Sequence, residues 1–160
     1  MRIHLFIFFL LISPILFAQT PLIDSLEREL KKAKADSVKI NIYTQIGTEY
    51  LYDNIDKLLP CAKNLMALAI KNNDEKCIGI ANNYYGNYYY TKSNFEKALT
   101  YFSKNVILYK KLKNNIGLGN CYLSMGNIYE SMGNPDKAIH YYFKSLKIDE
   151  KIGDKQRLSD

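Results

Sequence analysis

The side chains that most often do chemistry are few in this chain, and they are not gathered. General acid–base catalysis needs a histidine or carboxylate held against a second titratable group. Beyond the apolar N-terminus there is one histidine, His140, next to Ile139 on an amphipathic stretch. Forty residues earlier its counterpart is Thr100, which exchanges no proton at neutral pH. Carboxylates recur at Asp56, Glu96 and Asp136, each 40 residues from the next. Paired carboxylates could share acid and base roles, but a spacing this regular marks one structural place in three similar units. Cys61, Cys77 and Cys121 are an odd set without metal-ligand spacing. Cys121 stands where Ala81 stands 40 residues earlier, which fits buried filler. Cys61 is expected to face residues near Gly86 on the next antiparallel helix, so no disulfide with Cys77 is expected. The glycines form no phosphate-cradling loop. No catalytic, metal-binding or cofactor-binding residue is assigned, no cofactor is expected, and the chain does not read as an enzyme.

The carboxylates belong to a larger pattern. It reads Asn54-Ile55-Asp56-Lys57, then Asn94-Phe95-Glu96-Lys97, then Asn134-Pro135-Asp136-Lys137. A fixed period of this length is the mark of stacked units, and so of a solenoid. Asparagine is a favoured N-cap because its side-chain oxygen accepts an unpaired backbone N–H. The acid two places on meets the positive end of the helix dipole. Pro135 fits the first helical position, where no N–H is needed. Apolar residues follow at helical spacing, as in Ala98, Leu99, Phe102, Val106 and Tyr109. Before each asparagine lies a Gly-x-x-Tyr step: Gly47 to Tyr50, Gly86 to Tyr89, Gly126 to Tyr129. Glycine inside a helix costs about 1 kcal/mol against alanine. Its recurrence implies a close helix contact, with the tyrosine one turn later filling the space beside it. Each unit is therefore helix, turn, helix, and the fold class is all-α.

This pattern resembles the tetratricopeptide repeat (TPR) family. The matching residues are Tyr122, Met125, Gly126, Tyr129, Ala138 and Tyr142 in the third unit, and Tyr85, Gly86, Tyr89, Ala98 and Phe102 in the second. The first unit departs from it, with Tyr43, Ile46, Gly47 and Tyr50 but Leu58 or Leu59 in place of the expected alanine. It is one residue shorter between Gly47 and Asn54, and Pro60 should kink its second helix. The usual TPR period is about 34 residues. The spacing of 40 resembles the longer-helix subclass of kinesin light chains and bacterial regulatory TPR proteins. The resemblance spans residues 36 to 155. It implies a right-handed α-solenoid of antiparallel helix pairs, a TPR superhelix, with about three repeats plus an N-terminal capping helix. The implied layout is a signal peptide at 1–18, a capping helix at 19–35 and a TPR domain at 36–160. Its units fall near 36–74, 75–114 and 115–154, followed by a truncated fourth helix.

In TPR proteins the first helix of each pair lines a concave groove. By resemblance, the residue after each helix glycine points into it: Thr48, Asn87 and Asn127. Further groove positions are Thr44, Asn83 and Leu123, then Leu51, Tyr90 and Glu130. Asparagine at this place typically hydrogen-bonds the backbone of an extended peptide. TPR domains that clamp a C-terminal carboxylate carry basic residues where this chain has Asn83, Tyr84, Leu123 and Ser124. The groove is thus neutral, amide-rich and aromatic. Of the 14 tyrosines, Tyr84 and Tyr90 are the best candidates for an open surface. The function implied is a non-catalytic protein-protein interaction scaffold or adaptor that binds a peptide or protein segment in this groove. An alternative is the truncated periplasmic sensor region of a TPR histidine kinase or transcriptional regulator, which the order of leader, charged helix and 40-residue units resembles.

The ends carry further expectations. Arg2, the apolar run Leu5 to Phe17 and Ala18 have the form of a secretory signal peptide. The run is shorter than the roughly 20 residues of a membrane span. Location is therefore expected in the periplasm or envelope, with membrane association only if the segment stays uncleaved. Residues 21 to 35 form a charged amphipathic helix with Leu22, Ile23, Leu26 and Leu30 on one side. Gly153-Asp154 reads as a helix stop, leaving Ile139, Leu146 and Ile152 partly bare. That implies a fragment, or self-association through the C-terminal helix face. Net charge is +6, but the lysines at 31, 32, 34, 110, 111 and 113 read as solvated faces and not as a nucleic-acid stripe.

Overall fold

The computed structural model describes residues 21–157, so the leader at 1–18 lies outside the described residues. These residues form seven α-helices: α1 Pro21–Lys32, α2 Asp36–Tyr50, α3 Ile55–Lys71, α4 Glu75–Thr91, α5 Phe95–Lys111, α6 Asn115–Ser131 and α7 Pro135–Arg157. Each packs on its neighbours in sequence, and α2 also touches α4. The array is an all-α solenoid of three helix pairs behind one leading helix. The buried residues divide into two clusters, one around Leu58, Leu65 and Tyr84 and one around Phe102, Tyr109 and Ile128.

The recurring asparagines do what their type dictates. The side chains of Asn54, Asn94 and Asn134 accept from the N–H of Lys57, Lys97 and Lys137 at 3.4, 3.3 and 3.1 Å. Asp74 and Asn114 cap α4 and α6 in the same way, at 3.0 and 2.9 Å. These caps also end the helix before them. The backbone N–H groups of Asp74, Asn94, Asn114 and Asn134 bond the carbonyls of Ala69, Tyr89, Tyr109 and Tyr129. That six-residue closure needs a left-handed residue just before the cap. Asn73, Ser93, Lys113 and Gly133 supply it, with φ of 53°, 55°, 53° and 70°. The shorter first turn lacks it, and Asn54 bonds the carbonyl of Tyr50 at 3.2 Å.

The helix glycines are contact points, but the filling ring is not the tyrosine one turn later. An added Cβ would come within 2.7 Å of the Phe102 ring at Gly86 and 2.4 Å of the Tyr142 ring at Gly126. These rings come from the second helix of the same pair. In the first pair the equivalent residue is Ala62, and the ring over Gly47 is Tyr84, 2.2 Å from such a Cβ. Leu58 takes the place of Ala98, so large and small have exchanged places across one turn. This overturns the expectation that Tyr84 is open: it is 4% exposed because its ring supplies what Ala62 cannot. Leu22, expected on the apolar side of α1, is instead exposed, while Ile23 and Leu26 carry the buried side.

Two further expectations meet the structure at the helix ends. Helix α3 runs unbroken through Pro60 to Lys71. Gly153-Asp154 does not stop α7, which continues to Arg157. Among the described glycines only Gly133 has the left-handed backbone that ends a helix, so Gly153 weakens the helix without terminating it. Cys61, Cys77 and Cys121 are buried free thiols.

Candidate peptide-binding groove

Helices α2, α4 and α6 lie side by side, joined by hydroxyls. The Tyr84 hydroxyl donates to the carbonyl of Thr44 at 2.6 Å and lies 3.1 Å from Thr48 Oγ1. One pair along, the Tyr90 hydroxyl lies 3.1 Å from Ser131 Oγ. Burial pushes the Tyr84 phenol up to about 12, so it stays a neutral donor at physiological pH. Thr44 and Thr48 turn their hydroxyls back to carbonyls of their own helix. They form the α2 end of the surface and offer little beyond it.

Asn83 is committed inward. Its oxygen accepts from Asn105 at 2.7 Å and its amide donates to the Tyr109 hydroxyl at 3.0 Å. Asn105 is fully buried and also donates to the Gly79 carbonyl at 2.8 Å, while Asn82 donates to it at 3.0 Å. This chain of amides fixes α4 against α5. The period gave no warning of it, because the equivalents of Asn105 are Leu65 and Ser145.

The two central asparagines differ in what they leave open. Asn87 spends an amide proton on the Asn83 carbonyl at 2.8 Å, and its side-chain oxygen has no partner among the described residues. Asn127 spends its oxygen, which accepts from the Tyr142 hydroxyl at 2.9 Å, and its amide protons have none. Tyr142 also reaches Glu130 at 2.7 Å, and burial together with that carboxylate pushes the phenol up to about 12. Asn87, Tyr90 and Asn127 line one recess of about 40 Å³ with Ser124, above the Phe102 ring. Of the expected groove positions, these three come together. Leu123 is exposed, Glu130 is exposed and held by Tyr142, and Leu51 packs against the first core cluster. Ser124 was read only as a groove position without a basic side chain, and Ser131 and Tyr142 were not anticipated. Tyr142 was legible only as a core position.

Elsewhere the surface carries little chemistry. His140 is exposed and meets the edge of Tyr141. Among the described residues no three His, Cys, Asp or Glu side chains are placed to hold a metal. None of the described helices is long and apolar enough to cross a membrane. Ile139, Phe143 and Leu146 are about half exposed on the outer face of α7.

A family model of the tetratricopeptide repeat matches residues 77–151. No curated protein sequence matches the chain. Among solved structures, the TPR domain of Arabidopsis FLU superposes with a TM-score of 0.67. The match covers 73% of this chain and 99% of that one at 18% identity, a likeness of fold. The recurring caps, the glycine–ring contacts and these two matches show tetratricopeptide repeats over residues 77–151, in a fold that generally serves as a protein-binding scaffold.

Proposed function

We propose that the protein is a non-catalytic scaffold that holds an extended peptide segment across α4 and α6. The observation carrying this reading is the complementary pair at the recess. Asn87 offers an acceptor and Asn127 offers donors. A peptide backbone presents one N–H and one C=O per residue and needs both answered. Leu123 and Tyr90 beside the pair supply apolar and aromatic contact for side chains. No basic residue stands at the groove positions Asn83, Tyr84, Leu123 or Ser124, so the expected ligand is an internal segment and not a carboxylate tail. The form of residues 1–18 supports action in the periplasm or envelope.

The test is a peptide selected by the wild-type protein from a random library. Asn87→Ala with Asn127→Ala should weaken its binding about tenfold or more, since each lost buried hydrogen bond is worth about 1 kcal/mol. The melting temperature should change little. Unchanged affinity in the double variant would sink the reading.

A further inference from the structure

A recess of about 450 Å³ opens where the starts of α4 and α6 meet the end of α5, lined by Lys76, Ile80, Tyr109, Leu112 and Asn114. Lys76, Ile80, Asn83, Asn87 and Tyr90 follow one another on α4 at steps of four and three, so the recess lies on the same stripe as the groove. One ring has a fitted place in it. The Tyr109 ring is wedged between Gly79 and Gly117, and a Cβ at either glycine would come within 2.8 Å of it. The hydrogen bonds around its hydroxyl then run in one direction only. The Asn105 amide nitrogen is fixed by the Gly79 carbonyl at 2.8 Å, so the Asn83 atom 2.7 Å from it is the oxygen. Asn83 therefore turns its amide to Tyr109, whose phenol oxygen accepts at 3.0 Å. The phenol proton is left without an acceptor among the described residues, on a side chain only 5% exposed. A buried donor left unmet is costly. Ala69 and Asp149 hold the equivalent places, so this hydroxyl belongs to the second repeat alone. Two more donors stand at the rim. The Asn114 oxygen caps α6 through the Gly117 N–H at 2.9 Å, and its amide protons have no partner among the described residues. Lys76 is exposed and joins no salt bridge among the described residues. Of the acids near it in sequence, Glu75 is paired with Lys111 and Asp74 accepts from the Cys77 N–H.

We propose that this recess binds a carboxylate carried on a short apolar stem, and that stem and acid are a glutamate side chain of the segment held in the groove. The Tyr109 hydroxyl, the Asn114 amide and the Lys76 ammonium have only protons left to give, so the recess asks for an acceptor, and the lysine for an anionic one. A carboxylate answers all three, since its two oxygens offer about four lone-pair sites. The half-buried Ile80 and Leu112 give the methylenes of the stem an apolar wall. Burial pushes the Tyr109 phenol above its ordinary value of 10.0, so it keeps its proton at neutral pH. The five lining residues lie outside Asn83, Tyr84, Leu123 and Ser124, the positions where basic residues clamp a terminal carboxylate. The source of the acid rests on the peptide reading above, while the recess itself does not.

The experiment titrates the full chain with butyrate and with butyramide, its neutral counterpart, followed by amide NMR. Butyrate should shift the resonances of Ile80, Leu112 and Gly117, and should bind about fivefold tighter than butyramide, because a charge-assisted hydrogen bond is roughly twice as strong as a neutral one. Lys76→Met should bring butyrate down to the level of butyramide. Tyr109→Phe keeps the ring and should weaken both probes about threefold or more, the worth of one hydrogen bond. Should Tyr109→Phe fail to fold, the exposed Lys76 decides the matter through its own variant. No shift with butyrate, equal binding of the two probes, or butyrate binding unchanged in Lys76→Met or in a folded Tyr109→Phe would overturn the proposal. A second arm finds the source of the acid. Among peptides selected by the wild type from a random library, glutamate should recur at one position. Replacing it by glutamine should cost about fivefold in the wild type and little in Lys76→Met. Selected peptides without that preference, in a protein that binds butyrate, would overturn the glutamate source and assign the recess to a free short-chain acid. Should no peptide be selected at all, the groove reading falls with the glutamate source, and butyrate still decides the recess.

Discussion

The Lys97 ammonium lies 5.0 Å from the centroid of the Tyr89 ring, and Lys57 with Tyr50 and Lys137 with Tyr129 repeat the pairing at 5.5 and 5.1 Å. Each pair joins the last residue of the Gly-x-x-Tyr step to the last residue of the Asn-x-acid-Lys step. Two sequence motifs are thus the two halves of one contact across the turn. Capping accounts for the asparagine and the dipole for the acid, while the lysine answers to the ring. Lys97→Met should destabilise the fold by about 0.5–1 kcal/mol, the worth of an exposed cation–π pair. Lys97→Arg should leave stability nearly unchanged. Urea denaturation of both variants checks this, and equal losses would assign the lysine's worth to something other than its charge.

The glycines separate by what stands over them. At Gly126 a new methyl would meet the Tyr142 ring at 2.4 Å, while at Gly153 nothing lies within 4 Å. Gly126→Ala should cost about 1–3 kcal/mol through overpacking. Gly153→Ala should gain about 0.5–1 kcal/mol from helix propensity alone. Thermal melts of the two variants should move in opposite directions.

The left-handed residues give a simpler test. Ser93 holds φ of 55° at the place where the third repeat has Gly133 at 70°. A left-handed backbone costs a non-glycine residue about 1 kcal/mol. Ser93→Gly should recover most of that, and Gly133→Ala should lose a similar amount. Chemical denaturation at one temperature measures both.

Most of the fold was legible because each signal was local and repeated. Three asparagine caps, three helix glycines and one period give the six helices of the three pairs and their order, and the amphipathic spacing of residues 21–35 adds α1. The contents of the contacts were less legible, because packing is settled across helices. Nothing near Tyr84 announces that Ala62, on another helix, has left a gap over Gly47 for it to fill. Asn105 looks like a polar residue on a helix face, and only the arrival of Asn82, Asn83 and Gly79 makes it a buried hub. The geometry of the candidate groove was half legible. Position pointed to Asn87 and Asn127, but which atom each leaves open depends on Asn83 and Tyr142.

Asn105 also makes a strong prediction. Asn105→Leu copies Leu65 from the first repeat, where the residues standing for Gly79, Asn82 and Asn83 are Ile40, Tyr43 and Thr44. Without those partners the leucine is at home. In the second repeat the same change leaves the Gly79 carbonyl and two amides without their buried partner. Each buried orphan costs about 1–3 kcal/mol, so the apolar gain is outweighed. Denaturant midpoints should fall.

Asp74 is the one acid among the caps that both end and begin a helix; its equivalents are Asn94, Asn114 and Asn134. The N–H of Cys77, bonded to its side chain at 3.0 Å, holds its carboxyl below the ordinary value of 3.8. A folded value below the unfolded one means stability that is present above the unfolded pKa and lost as pH falls through the folded one. Asp74→Asn keeps the cap geometry and removes the titration. At pH 7 the two proteins should be close in stability, and Asp74→Ala should be worse than both by about 1 kcal/mol. As pH falls below the ordinary carboxylate value, the wild type should lose ground against Asp74→Asn, because protonation removes its advantage as an acceptor at the positive end of α4. Melting curves of the three proteins from pH 7 down to pH 3 read this directly. A constant gap between wild type and Asp74→Asn across that range would show that the cap works as a neutral hydrogen-bond acceptor and owes nothing to its charge.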